Sequence, residues 1–254
     1  NGNDPTSGSD SLYVDNTGDL SNNTGSLSST QITGLGMGGS ITYGTVEHLI
    51  ISLGSGNDAF TINSTHGAAT SSSQEDTTLN TGAGTDTVNI NGVSDLLFVN
   101  GQADADKFNV NGTGAGSVST LNGDAGNNIF NVRAMDGAVN IDGGANDDIV
   151  NVGSDAPTPQ TVPTTQKGTI DAITELLTVN GGLGNDALNV DDSDPADTAK
   201  SGTLTSSTIR GLALEKGIDY GALETLNIWL ASGNNTFTID STHAGQTTVY
   251  TAQG

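Results

Sequence analysis

The stretch GGLGNDALNV (residues 181–190) decides how the rest of the chain is read. It opens on two glycines, has a third at its fourth position, then an amide and an acid, and ends on apolar residues alternating with polar ones. Degenerate copies recur as LGSGNDAFTI (53–62), TGAGTDTVNI (81–90), GQADADKFNV (101–110), GDAGNNIFNV (123–132), GGANDDIVNV (143–152) and LASGNNTFTI (230–239). The sixth position is always Asp or Asn: Asp58, Asp86, Asp106, Asn128, Asp148, Asp186 and Asn235. The eighth and tenth positions are apolar in every copy, as in Phe108/Val110 and Leu188/Val190. Strict period-two alternation marks strands with one buried face.

A further apolar residue sits two places before each turn: Ile51, Leu79, Val99, Leu121, Ile141, Val179 and Ile228. Each turn is thus flanked by a strand on both sides. The sixth-position residues at 86, 106, 128 and 148 recur at a spacing that holds two short strands and two turns. Short strands at fixed spacing, without helical stretches between them, predict an all-β, elongated parallel β-helix (β-solenoid), right-handed, with coils of about 20 residues.

Composition agrees with a thin, repetitive core. Only 33% of the 254 residues are hydrophobic and 4% aromatic, while glycine reaches 36. The net charge of −23 speaks against nucleic acid and anionic membranes as partners. Cysteine is absent, which removes disulfides and thiolate metal sites. No apolar run approaches the roughly 18 residues of a membrane-spanning helix.

A longer period lies above the turns. Residues 25–66 match residues 202–243 at a constant offset, pairing Gly34 with Gly211, Tyr43 with Tyr220, Glu47 with Glu224 and His66 with His243. The chain is therefore expected to form one continuous solenoid, with a first superrepeat over 1–186 and a partial second one over 187–254. TAQG (251–254) aligns with TGAG (81–84), and SSSQED (71–76) reads as an insertion relative to the second copy. The proline-rich segment 153–169 should project as an excursion loop. Both chain ends fall within turns and carry no capping helix, so the expectation is covalent continuation or end-to-end stacking.

GGLGNDALN (181–189) resembles the glycine-aspartate nonapeptide of the RTX, or haemolysin-type, calcium-binding β-roll found in large bacterial surface and secreted proteins. That resemblance implies calcium between successive turns, with Asp58, Asp86, Asp106, Asp148 and Asp186 as ligands. Asn128 and Asn235 depart from the pattern, and the turn recurs once per coil rather than twice. Calcium takes six to eight oxygens. Gly, Asn and Asp are also what a tight turn with positive φ needs, metal or not. Both readings stand. DDSDPAD (191–197) offers a weaker calcium loop through Asp192, Asp194 and Asp197, with a solvated acidic loop as its alternative.

The ninth position (Thr61, Asn89, Asn109, Asn131, Asn151, Asn189, Thr238) reads as a column of stacked amides. An ice-binding array is disfavoured by Lys107, Ile129 and Ile149 in the seventh position. Trp229, by alternation, should be an exposed contact for a sugar or a neighbouring chain. Sequons at Asn22, Asn63, Asn111 and Asn234 leave room for glycans. The expected function is a structural, non-enzymatic, extracellular or cell-surface module, a calcium-stabilised fibre, filament or adhesin stalk that meets copies of itself. A β-helix carbohydrate-active or carbohydrate-binding protein is the alternative. The six basic residues are scattered along the chain, and single aspartates in a repeat give no privileged acid pair.

Overall fold

The computed structural model describes residues 10–67, 75–156, 167–196 and 199–251. Among them the chain is all-β, with 22 strands and no helix. The strands form two sheets of eleven. The first runs β1 (Ser11–Asp15), β5 (His48–Ser52), β7 (Asp76–Asn80), β9 (Leu96–Asn100), β11 (Val118–Asn122), β13 (Ala138–Ala145), β15 (Leu177–Leu183), β19 (Leu214–Gly221), β18 (Thr208–Gly211), β17 (Ser201–Leu204) and β21 (Thr236–Ile239). The second runs β22 (Gln246–Thr251), β20 (Thr225–Leu230), β16 (Ala187–Asp192), β14 (Ile149–Val152), β12 (Ile129–Val132), β10 (Lys107–Val110), β8 (Thr87–Ile90), β6 (Ala59–Ile62), β2 (Thr24–Leu27), β3 (Gln31–Gly34) and β4 (Ser40–Thr42).

Between β5 and β16 the chain alternates between the sheets, so strands adjacent in space are two apart in sequence and pair in parallel. The register keeps like residues together: Val88, Phe108, Phe130, Val150 and Leu188 stand in one row, and Leu79, Val99, Leu121, Ile141 and Val179 in a row of the other sheet. Both rows are buried. Phe108 and Phe130 stack with centroids 4.7 Å apart and planes 8° apart. A one-residue slip would put every such row on the solvent side, which pins the register.

Two antiparallel meanders, β2–β3–β4 and β17–β18–β19, interrupt the uniform parallel coils that the repeat predicts. The second reversal of each meander follows a run of left-handed backbone that no apolar periodicity reports: Gly34, Leu35 and Gly36 in one, Gly211, Leu212 and Ala213 in the other. Gly25 and Gly202 are fixed by close approach, since a Cβ at either would lie within 2.9 Å of a phenylalanine ring, Phe60 or Phe237.

The superrepeat is reproduced in detail. The Tyr43 hydroxyl donates to the Ser28 carbonyl at 2.6 Å, and the Tyr220 hydroxyl donates to that of Thr205 at 2.6 Å. The Ser29 and Ser206 amides donate to Ser64 and Ser241 Oγ, each at 2.9 Å. The two copies nevertheless occupy opposite sheets. β2 and β6 lie in the second sheet and their equivalents β17 and β21 in the first, while β5 lies in the first and its equivalent β20 in the second. This moves Ile228 out of the row that alternation assigns it. It stands beside Val190, and Tyr220 stands beside Val179.

Candidate functional site

The decapeptide's turn answers its own composition. From residue 81 onward the second and fourth positions have positive φ in every copy up to 184: Gly82/Gly84, Gln102/Asp104, Asp124/Gly126, Gly144/Asn146 and Gly182/Gly184. Where glycine is absent, Gln, Asp or Asn takes the left-handed conformation, and Asp and Asn tolerate it best among side-chain-bearing residues. The first-position glycine has a different reason. A Cβ on Gly101 would sit 2.6 Å from Asp106 Oδ2, and one on Gly143 would sit 2.3 Å from the Gly181 carbonyl and 2.6 Å from Asp148 Oδ2. Its missing side chain makes room for the sixth-position carboxyl.

Those carboxyls form a continuous ladder along the stack. The amide of Asn23 donates to Asp58 Oδ1 (2.7 Å), Asp58 to Asp86 (2.6 Å), Asp86 to Asp106 (2.8 Å), Asp106 to Asn128 (2.8 Å), Asn128 to Asp148 (2.7 Å) and Asp148 to Asp186 (2.8 Å). The Asp186 amide then donates to Glu224 Oε2 at 2.8 Å. Glu224 lies outside the decapeptide alignment, so the turn pattern alone does not reveal it. Its signal is the matched pair Glu47/Glu224, since Glu47 Oε2 likewise accepts from the Asp10 amide at 2.7 Å. Asn235 stands apart, because its copy precedes a strand of the first sheet. There it accepts from the Lys200 amide.

All five aspartates of the ladder are buried, and each leaves its second oxygen, Oδ2, buried without a hydrogen-bond partner. Burial disfavours the charged form of a carboxyl. Desolvation pushes the Asp106 carboxyl up to about 8, opposed by the hydrogen bond from the Asp86 amide and reinforced by the Asp86 and Asp104 charges. Asp86 and Asp148 are pushed up to about 6, and Asp186 is raised as well, each chiefly by burial.

The ninth-position amides form a second ladder. Asn109 Nδ2 donates to Asn89 Oδ1, Asn131 to Asn109, Asn151 to Asn131, Asn189 to Asn151 and Asn227 to Asn189, all between 2.9 and 3.0 Å. In the other sheet Asn122 donates to Asn100 and Asn100 to Asn80, both at 2.8 Å. Thr238 stands in the first sheet beside Thr203, away from the amide column.

The acidic segment after β16 is drawn into local bonds. Asp192 is buried against Lys200 Nζ at 2.7 Å, and the same ammonium reaches Asp171 at 2.6 Å. Asp194 Oδ1 accepts from the Ala196 amide, and Asp191 Oδ1 accepts from Ser193. Asp197 lies outside the described residues, as do 71–74 of the expected insertion, 157–166 of the expected excursion and 252–254 of the last turn. Among the described residues no group of three or more acidic, histidine or cysteine side chains converges as a metal cage.

Trp229 is not the exposed contact that alternation predicts. It is 2% exposed, standing in the row between Asp191 and Tyr250 and stacked on the tyrosine with centroids 4.9 Å apart. Alternation tells which side of a strand a residue leaves from, and only the neighbouring strands decide whether it is covered. His66 is also buried, held by Thr77 Oγ1 at 3.2 Å and facing Tyr43 edge-on, an arrangement that His243, Thr247 and Tyr220 repeat. No family model matches the chain, and neither the curated proteins nor the solved structures compared with it give a match.

Proposed function

We propose that this chain is a structural repeat module: a β-solenoid whose stacked coils form a stiff segment of an extracellular fibre, filament or adhesin stalk. The observation that carries this reading is the use of the polar residues. Their hydrogen bonds run from strand to strand along the stack, in carboxyl and amide ladders, rather than converging on a cleft. Such ladders add length and stiffness in proportion to the number of coils, as in other quasi-one-dimensional repeat proteins. The acidic composition and the resemblance of the turn to secreted repeat proteins support a location outside the cell.

The buried Oδ2 of Asp106 needs a counterpart, and we assign it as a proton, because burial pushes that carboxyl up to about 8. Each aspartate of the ladder offers one orphan oxygen and Asn128 offers none, while calcium requires six to eight oxygen ligands. Each Oδ1 is already engaged by a backbone amide, and the orphan oxygens of Asp106, Asp148 and Asp186 pack on Gly101, Gly143 and Gly181. Electron microscopy of the protein in calcium and again in chelator tests both parts. Rods about 50 Å long, from eleven strands at ~4.8 Å, are expected in both conditions. Rounded particles would overturn the rod, and rods that fall apart only in chelator would overturn the proton.

A further inference from the structure

We infer that the outer edges of β21 and β22 are a docking surface for a further copy of this chain's own repeat, and that each repeat presents the opposite face to the one before it. This junction rests on the rod reading and extends it. The internal repeat supplies the evidence. β21 and β22 are the equivalents of β6 and β7, which are covered on their outer sides by β8 and β9. β21 and β22 close their sheets with no strand beyond them among the described residues.

The side chains agree. Phe60, Ile62 and Leu79 are fully buried beneath β8 and β9. Their equivalents Phe237 and Val249 are only partly buried, and Ile239 is 52% exposed. The surface they form matches the one that TVNI (87–90) and LLFVN (96–100) cover in the first copy. The far end is complementary in the same sense: β19 and β16, equivalents of β4 and β1, are covered by β15 and β14, while β4 and β1 have no strand beyond them among the described residues.

The alternation of faces comes from the exchange of sheets. From β6 to β21 the equivalent strand moves seven places along and changes sheet, and from β7 to β22 it moves eight and changes sheet. One repeat is therefore about seven and a half strand layers, or about 36 Å at ~4.8 Å per layer. The half layer is what changes the face. A β8-like strand added to β21 would lie in the first sheet, although β8 itself lies in the second.

The test extends the full chain after Gly254 with a second copy of residues 85–254, keeping the alignment of TAQG with TGAG. The chain has no cysteine, so introduced pairs report cleanly. Because Thr61 faces Asn89, Thr238→Cys should form a disulfide with Asn89→Cys of the appended repeat. Adjacent strands put the two Cα atoms within the ~4.4–6.8 Å that a disulfide spans. Thr248→Cys tests the opposite arrangement, since Thr248 continues the second-sheet row that holds Asn189 and Asn227. A disulfide from 238 and none from 248 is expected, with the cysteine-free extended chain about 36 Å longer by small-angle scattering. A disulfide from 248 alone, with the same lengthening, would overturn the alternation of faces and leave the rod standing. No lengthening and neither disulfide would overturn both.

Discussion

Replacing Asp106 by asparagine should stabilise the protein at neutral pH and do little in acid. The carboxyl is at about 3.9 in an unfolded chain and is pushed up to about 8 in the fold, chiefly by burial. Between those values the folded state holds a proton that the unfolded chain has released. Stability from this group is therefore greatest below about pH 4, declines as pH rises and levels off above about 8. At ~1.4 kcal/mol per pH unit, keeping the proton at pH 7 costs up to about 4 kcal/mol, and less than about 1 kcal/mol at pH 4. Asparagine has no proton to keep. The ladder already accepts it, because Asn128 Oδ1 takes the Asp106 amide at 2.8 Å while its Nδ2 donates to the Gly126 carbonyl at 3.1 Å. Calorimetry of Asp106→Asn in chelator at pH 4 and pH 7 is the assay. At ~2–4 °C per kcal/mol, a rise in Tm of roughly 10 °C is expected at pH 7, with almost none at pH 4. Equal effects at the two pH values, or a loss of stability at pH 7, would refute a protonated Asp106. A loss confined to calcium-containing buffer would mean that the carboxylate holds a cation.

Three further substitutions and one spectroscopic signal are open to measurement. Gly143→Ala puts a methyl 2.3 Å from the Gly181 carbonyl and should lower stability by about 3 kcal/mol in urea unfolding, whereas Gly38→Ala, with nothing within 4 Å, should be close to neutral. Asn131→Ala removes one donor and one acceptor from the fully buried middle of the amide ladder; a loss of about 2 kcal/mol is expected, and an unchanged midpoint would show that the ladder does not stabilise the stack. Trp229 is the chain's one tryptophan, so its fluorescence should be blue-shifted and weakly quenched by acrylamide, while red-shifted, readily quenched emission would contradict its burial against Tyr250.

The strands and their buried face are legible in the residues alone, because apolar side chains at the eighth and tenth positions of each copy leave a strand only one side to bury. So are the residues of the turn, since left-handed backbone restricts the choice to glycine and a few polar residues. The amide column is legible for the same reason of period, apart from its ends at Thr238 and Asn227. What local pattern cannot carry is decided by strands that meet across long separations. Glu224 completes the carboxyl ladder only because β20 lies beside β16. Trp229 is covered only because Tyr250 stacks on it. The exchange of sheets between the two copies is likewise invisible in a sequence alignment. The same apolar pattern can pack in either sheet, and only the number of strand layers between the copies settles which sheet each one joins.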